Sequence, residues 1–230
     1  MSEVRAGEEL RPGLMPGDRQ EWFRQLNLSN FVNAYYEYRD LQSLPGYQRV
    51  LVVGPGQGLD VQVLRWRGLD VTTVDVDETF RPDMIGSVHD LGTFADRSFD
   101  AVVASHVLEH LPLAYLPRAL EELARVAEHA LVYLPVHGRH AQLRLIPGFK
   151  GLDLSLVVDL FNYAARPDGV TPRYMQGQHY WEVGMRGFRV RDLVRRFTPH
   201  FEVLNVYRNR DWLPSQNFVL RSRRASAPVR

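Results

Sequence analysis

Hydrophobic positions along the chain switch between two periods, and the switches mark its elements. From Gln20 to Leu44, the residues Trp22, Phe23, Leu26, Phe31, Val32, Tyr35, Tyr36 and Leu41 recur mostly at helical spacing. This predicts one helix or two, closed by Pro45-Gly46. Arg49–Val53 is then a short β-branched run, and Val71–Val74 is another. Phe99–Ala104, Leu131–Leu134, Phe201–Tyr207 and Gln216–Leu220 read the same way. Between these strands Leu59–Trp66, Leu116–Ala130 and Val190–Phe197 have helical spacing. In the second helix Leu120, Leu123, Ala124 and Ala127 share one face, with Glu121, Glu122, Arg125 and Glu128 elsewhere. Continuous apolar strands separated by helices predict an α/β fold whose mostly parallel sheet is covered on both faces.

Two kinds of segment break the rhythm. Residues 1–18 hold Gly7, Pro12, Gly13, Pro16 and Gly17 among charges and read as a flexible leader, and 225–230 read as a disordered tail. Residues 137–185 carry glycine, proline, aromatics and histidines. Within them Leu156, Val157, Leu160, Phe161 and Ala164 predict a helix over Leu152–Ala165. A packed lid helix is the preferred reading, ahead of a homodimer contact or a membrane contact. The cluster Gly177-Gln-His-Tyr-Trp-Glu-Val-Gly184 reads either as a lid on an acceptor pocket or as loop packing. The expected organisation is a leader at 1–18, a helical cap at 19–48 and a catalytic domain at 49–224. The insert at 137–185 serves as that domain's acceptor-site lid.

Composition narrows the chemistry. The 230 residues contain no cysteine, so a disulfide, a thiolate nucleophile and a thiolate metal site are excluded. Lys150 is the only lysine, and it follows Phe149 rather than a glycine loop, so a phosphate-binding P-loop is excluded as well. A net charge of +1 argues against nucleic acid as a partner, since that binding rests on phosphate neutralisation. Arg186, Arg189, Arg191, Arg195 and Arg196 are read as a solvated helix face. The N-terminus has no apolar core of a signal peptide, and no run approaches the ~18 apolar residues of a membrane span, so a cytoplasmic protein is expected.

The loop after the first strand carries the chemistry. Gly54-Pro-Gly56-Gln-Gly58 joins strand to helix, where glycines permit a tight turn and let a ligand approach backbone N–H groups. Its pattern is G-x-G-x-G, and Leu59 stands where the dinucleotide motif G-x-G-x-x-G departs from it. Asp75 ends the second strand about 20 residues beyond, where a carboxylate can take both hydroxyls of a ribose.

With Val50–Gly58, Val71–Asp77, Asp90-Leu91, Ser98–Pro112 and Ala119–Pro135, the chain resembles the class I S-adenosylmethionine-dependent methyltransferases of the small-molecule branch. The most diagnostic block is Ser98-Phe-Asp-Ala-Val-Val-Ala-Ser-His-Val-Leu-Glu-His-Leu-Pro112, which is similar to that family's fourth strand and following turn. The resemblance implies a Rossmann-like, mostly parallel seven-stranded sheet with S-adenosyl-L-methionine as cofactor. It gives Gly54, Gly56 and Gly58 the loop under the cofactor, Asp75 the ribose and Val76 a face of the adenine. Asp90 and Leu91 would read the adenine edge, and Ser105 and His106 would face the sulfonium. Many family members have an acid two residues before the first glycine; here Val52 stands there, and Asp60 or the Tyr35–Arg39 segment is the place to seek its replacement.

The implied reaction is an in-line displacement on a small-molecule acceptor. Acceptors that must lose a proton need a base, for which His106, His110 and His179 are the candidates. The fourth strand runs into Ala104-Ser-His-Val107 instead of Asn-Pro-Pro-Tyr, which argues against amide and adenine acceptors. His106-Val-Leu-Glu109-His110 also fits the zinc pattern H-x-x-E-H. Leu111-Pro112 leaves only about a turn of helix there, so the fourth-strand match is preferred and no metal is expected. A non-catalytic binder of the same fold, suggested by Val52, and a nicotinamide oxidoreductase, disfavoured by Gly58-Leu59, are the alternatives.

Overall fold

A computed structural model describes residues 27–145, 154–160, 166–173 and 177–224. The leader at 1–18 and the tail at 225–230 lie outside these residues, as do the first residues of the cap. The elements run α1 (Leu28–Gln42), β1 (Arg49–Val53), α2 (Leu59–Trp66), β2 (Asp70–Asp75), β3 (Met84–Ile85), β4 (Phe99–Ser105), α3 (Leu116–Val126) and β5 (Ala127–Pro135). They continue with β6 (Arg139–Leu145), β7 (Leu154–Leu160), α4 (Val190–Phe197), β8 (Phe201–Arg208) and β9 (Ser215–Ser222). Short 3-10 turns stand at Glu78–Phe80 and Leu108–His110.

Seven strands form one sheet in the order β3-β2-β1-β4-β5-β9-β8. All pairings are parallel except those of β9, which runs against both β5 and β8. Alternate strand residues feed opposite layers. Leu51, Val53, Val102, Ala104, Val132 and Leu134 pack with α3, α4 and Trp181 on one face. Val50, Val52, Ala101, Val103, Leu131 and Tyr133 pack with α1 and α2 on the other. Burial on both sides is why these strands are apolar without alternation.

One buried carboxylate fastens α1 across the sheet. Asp40 accepts the hydroxyls of Tyr133 at 2.7 Å and Tyr207 at 2.6 Å, and pairs with Arg39 at 2.7 Å. The Arg39 guanidinium also lies over the stacked rings of Tyr36 and Tyr207.

Two expectations are corrected. The helix expected through Ala130 stops at Val126, because Ala127 begins β5 opposite Phe99 of β4. The helix expected over Leu152–Ala165 is instead a strand across its described part, Leu154–Leu160, paired antiparallel with β6 in a separate two-stranded sheet. Leu154, Leu156, Val158 and Leu160 are also spaced by two, and the pairing of Leu143 with Leu156 and Ala141 with Val158 puts that period to use. Among the described residues, no helix is long and apolar enough to cross a membrane.

Candidate functional site

The order of the sheet creates a crevice. β1 and β4 are neighbours, but the chain winds outward from them in opposite directions, so their C-terminal ends flank the switch point where such sheets bind ligands. The glycine loop leaves β1 there with φ of 65° at Gly54, 50° at Gly56 and 72° at Gly58. Gly54 donates its N–H to the Val74 carbonyl at 2.8 Å, tying the loop to β2. A β-carbon on Gly54 would meet Val107 Cγ2 at 2.7 Å, so the turn after β4 seats directly on the loop.

Asp75 closes β2 beside that loop and is 9% exposed. It accepts the N–H of Asp77 at 2.9 Å, and burial pushes its carboxyl above the ordinary range. Val76 follows, half-buried. Asp90 is exposed, while Leu91 packs in the core and gives its N–H to Glu122 at 2.9 Å. Of that pair, therefore, Asp90 is the one with an exposed side chain. Arg125 holds the segment in place through the carbonyls of Leu91 and Phe94 and a 2.8 Å ion pair with Glu122.

Opposite the loop, α1 brings Glu37 to the same crevice. This buried side chain is hydrogen-bonded to Ser105 at the end of β4 and to Asp60 in the first turn of α2. Its Oε2 is buried with no partner. Burial, and then the Asp60 charge, push the Glu37 carboxyl well up, and burial pushes Asp60 up to about 6. Two carboxyls this close disfavour each other's ionisation.

A second cluster lies beyond Ser105. His106 leaves β4 in the left-handed region, with φ 56°, and donates its N–H to Tyr133. The 3-10 turn then buries Glu109 completely and places His110 beside it. The 177–183 segment folds onto this turn: Tyr180 donates its N–H to the Glu109 carbonyl, Val183 bridges to Val136, and Trp181 stacks on Phe188 in the core. His179 thereby lands against His110, ring centroids 4.8 Å apart. Glu182 accepts from Nδ1 of both His179 and His137, each at 2.7 Å. Burial raises the cost of charging Glu109, but the surrounding histidines outweigh it and hold its carboxyl below the ordinary range. Burial pushes His110 down despite Glu109, favouring neutral imidazole.

The structure thus brings His106, His110 and His179 together, and it gathers the glycine loop, Asp75, Val76, Ser105 and Asp90 around the switch point. Sequence reasoning named Asp60 and the Tyr35–Arg39 segment without selecting Glu37, and it passed over Glu109 and Glu182. Glu109 carried a signal, the H-x-x-E-H spacing; Glu182 carried none, since only the fold brings it to two histidines. A cleft of about 480 Å³ adjoins this cluster, lined by His137, Asp159, Val183, Arg189 and Arg208 among others.

Residues 51–130 match the family model described as a methyltransferase domain. No curated protein matches the chain. Solved structures resemble it in fold. The PH0226 protein from Pyrococcus horikoshii has a TM-score of 0.56 at 12% identity, covering 87% of this chain and 93% of that one. The glycopeptide N-methyltransferase MtfA complexed with S-adenosyl-L-methionine gives 0.54 at 13%, covering 84% and 94%. A TehB-like SAM-dependent methyltransferase from Corynebacterium glutamicum gives 0.52 at 15%, covering 89% and 95%.

Proposed function

We propose that this chain, a class I S-adenosylmethionine-dependent methyltransferase by the domain it carries and by its fold, methylates a small molecule whose reacting atom approaches from the histidine cluster. The observation that carries the placement is Glu37: a buried carboxylate oxygen without a partner, beside Asp60, at the switch point. It fits the cofactor's ammonium group and does the work of the acid that Val52 lacks.

When bound, S-adenosylmethionine supplies a methyl carbon already activated by a sulfonium. The chain's own residues bind and orient. Glu37 and Asp60 take the ammonium, and the backbone of Gly54–Gly58 borders the amino-acid part of the cofactor. Asp75 takes the ribose hydroxyls, Val76 lies against the base, and Asp90 reads its edge. Ser105 and His106 border the methyl. The acceptor's reacting atom must be held in line and near attack distance, which is the larger share of the catalysis. His106, His110 and His179 are the candidate bases for an acceptor that must lose a proton.

We assign the acceptor's body to the cleft at His137 and Arg208, with His137, Asp159, Val183 and Gly184 of the insert in its wall. An acceptor of that size suits a small molecule rather than nucleic acid, and we read the protein as cytoplasmic. The test is to incubate the protein with S-adenosylmethionine and a small-molecule extract. The expected result is formation of S-adenosylhomocysteine and a compound heavier by one CH2. Tight cofactor binding with no product from any extract would favour a non-catalytic binder.

A further inference from the structure

Glu109, His110 and His179 converge on a point that no described donor fills. Glu109 is fully buried, and both of its carboxylate oxygens lack a hydrogen-bond partner. The imidazole nitrogens around it are His106 Nδ1 at 3.7 Å, His179 Nε2 at 3.9 Å and His110 Nε2 at 4.0 Å, all measured to Oε1 and all too long for a hydrogen bond. A buried carboxylate with no hydrogen bond is costly, so positive charge belongs beside it, on a metal ion or on a protonated imidazole.

The tautomers say what kind. His179 Nδ1 donates to the Glu182 carboxylate at 2.7 Å, and His110 Nδ1 donates to the Gln178 carbonyl at 3.1 Å. Neither acceptor has a proton to give, so both Nδ1 atoms carry one. In the neutral rings each Nε2 then presents a lone pair, and both lone pairs face Glu109. A proton on one ring would leave the other lone pair opposed to the carboxylate. A metal ion takes all three donors at once. Orientation of each imidazole through its far nitrogen is the usual support of a metal-binding histidine.

We propose that Glu109, His110 and His179 bind a divalent transition-metal ion at the acceptor side of β4, with His106 standing by as a further nitrogen donor. The three ligating atoms lie within 4.8 Å of one another. A tetrahedral zinc site with bonds of about 2.1 Å sets its ligand atoms roughly 3.4 Å apart, so modest side-chain rotation closes the site. Two imidazoles and a carboxylate suit zinc or a neighbouring first-row ion, and three protein ligands leave a position open. This revises the expectation of no metal: H-x-x-E-H does not need a long helix here, because the third ligand arrives from the 177–183 segment.

The open position fits an acceptor hydroxyl, which makes the substrate class a small alcohol or phenol. Metal binding lowers the hydroxyl's pKa. With the ion bound, His110 and His179 are ligands and no longer bases; the O–H proton passes to water, the oxygen forms the new bond to the methyl carbon, and the C–S electron pair remains on sulfur. This assignment of the acceptor rests on the methyltransferase reading; the metal site does not.

The test uses tag-free full chain stripped with chelator, with no cofactor present. Zinc is titrated calorimetrically and cobalt(II) by visible absorption. One equivalent should bind more tightly than about 10 μM, with intense cobalt bands of low coordination number. Glu109→Gln and His179→Ala should each weaken binding roughly 100-fold, while circular dichroism and S-adenosylhomocysteine affinity hold. Absence of zinc binding by the unaltered protein would overturn the proposal, and it would leave the cofactor titration, run separately, to judge the methyltransferase reading. Undiminished binding by both variants would also overturn it, placing the ion elsewhere. Should Glu109→Gln not fold, His179→Ala and the unaltered protein decide.

Discussion

Gly54 and Val107 meet so closely that a β-carbon on the glycine would stand 2.7 Å from Val107 Cγ2. The valine is β-branched and stiff, and Gly54 itself sits at φ 65°, so the methyl cannot be absorbed by a simple rotation. Gly54→Ala should displace the loop and cost about 1–3 kcal/mol of stability. Loss of S-adenosylhomocysteine affinity by more than tenfold, with the fold retained by circular dichroism, is the expected outcome. Unchanged affinity would mean that the loop does not touch the ligand.

Asp75 and Glu37 are assigned to different parts of one cofactor, and a shorter ligand separates them. Methylthioadenosine keeps the ribose and base but lacks the amino-acid group. Asp75→Ala should weaken both it and S-adenosylhomocysteine, each by about 1.5–3 kcal/mol. Glu37→Gln should weaken S-adenosylhomocysteine alone. Equal losses for both ligands in Glu37→Gln would remove that residue from the ammonium site.

The same carboxyl pair gives a pH dependence with a definite sign. Asp60 rises from an ordinary 3.8 to about 6, with burial as the main cause, and Glu37 is raised too. A raised carboxyl binds its proton more tightly in the folded state. Its contribution to stability is therefore complete below pH 3.8 and is lost as pH rises through about 6. The free protein should lose stability over that interval in urea titrations, and Glu37→Gln should flatten the loss. Cofactor affinity should run the other way, strengthening above pH 6 as the pair ionises.

Asp40 should matter for stability because it is buried and holds two hydroxyls of the sheet. Asp40→Ala would strand the buried Tyr133 hydroxyl and loosen that of Tyr207, for a loss of about 2–4 kcal/mol in urea unfolding. Tyr133→Phe removes donor and need together and should cost about 1 kcal/mol. A smaller loss in Asp40→Ala than in Tyr133→Phe would contradict the assignment.

The sheet was legible because its strands are buried on both faces and so appear as unbroken apolar runs, as in Val50–Val53 and Ala101–Ala104. β3 was not, being two residues long. Leu154–Leu160 misled because its leucines and valines satisfy helical and strand periods together, and only the partner β6 decides. The ribose carboxylate was legible from its distance to the glycine loop. Glu37, Glu109 and Glu182 were not, because their roles depend on what lies opposite them: α1 across the crevice for the first, and the 177–183 segment folded onto the turn after β4 for the others.

The most direct test of the account is a calorimetric titration of the protein with S-adenosylhomocysteine and, separately, with NAD. The account predicts one site for the first, weakened at least about tenfold by Glu37→Gln, and no binding of the second. Failure to bind S-adenosylhomocysteine, or binding of NAD that Asp75→Ala abolishes, would contradict it.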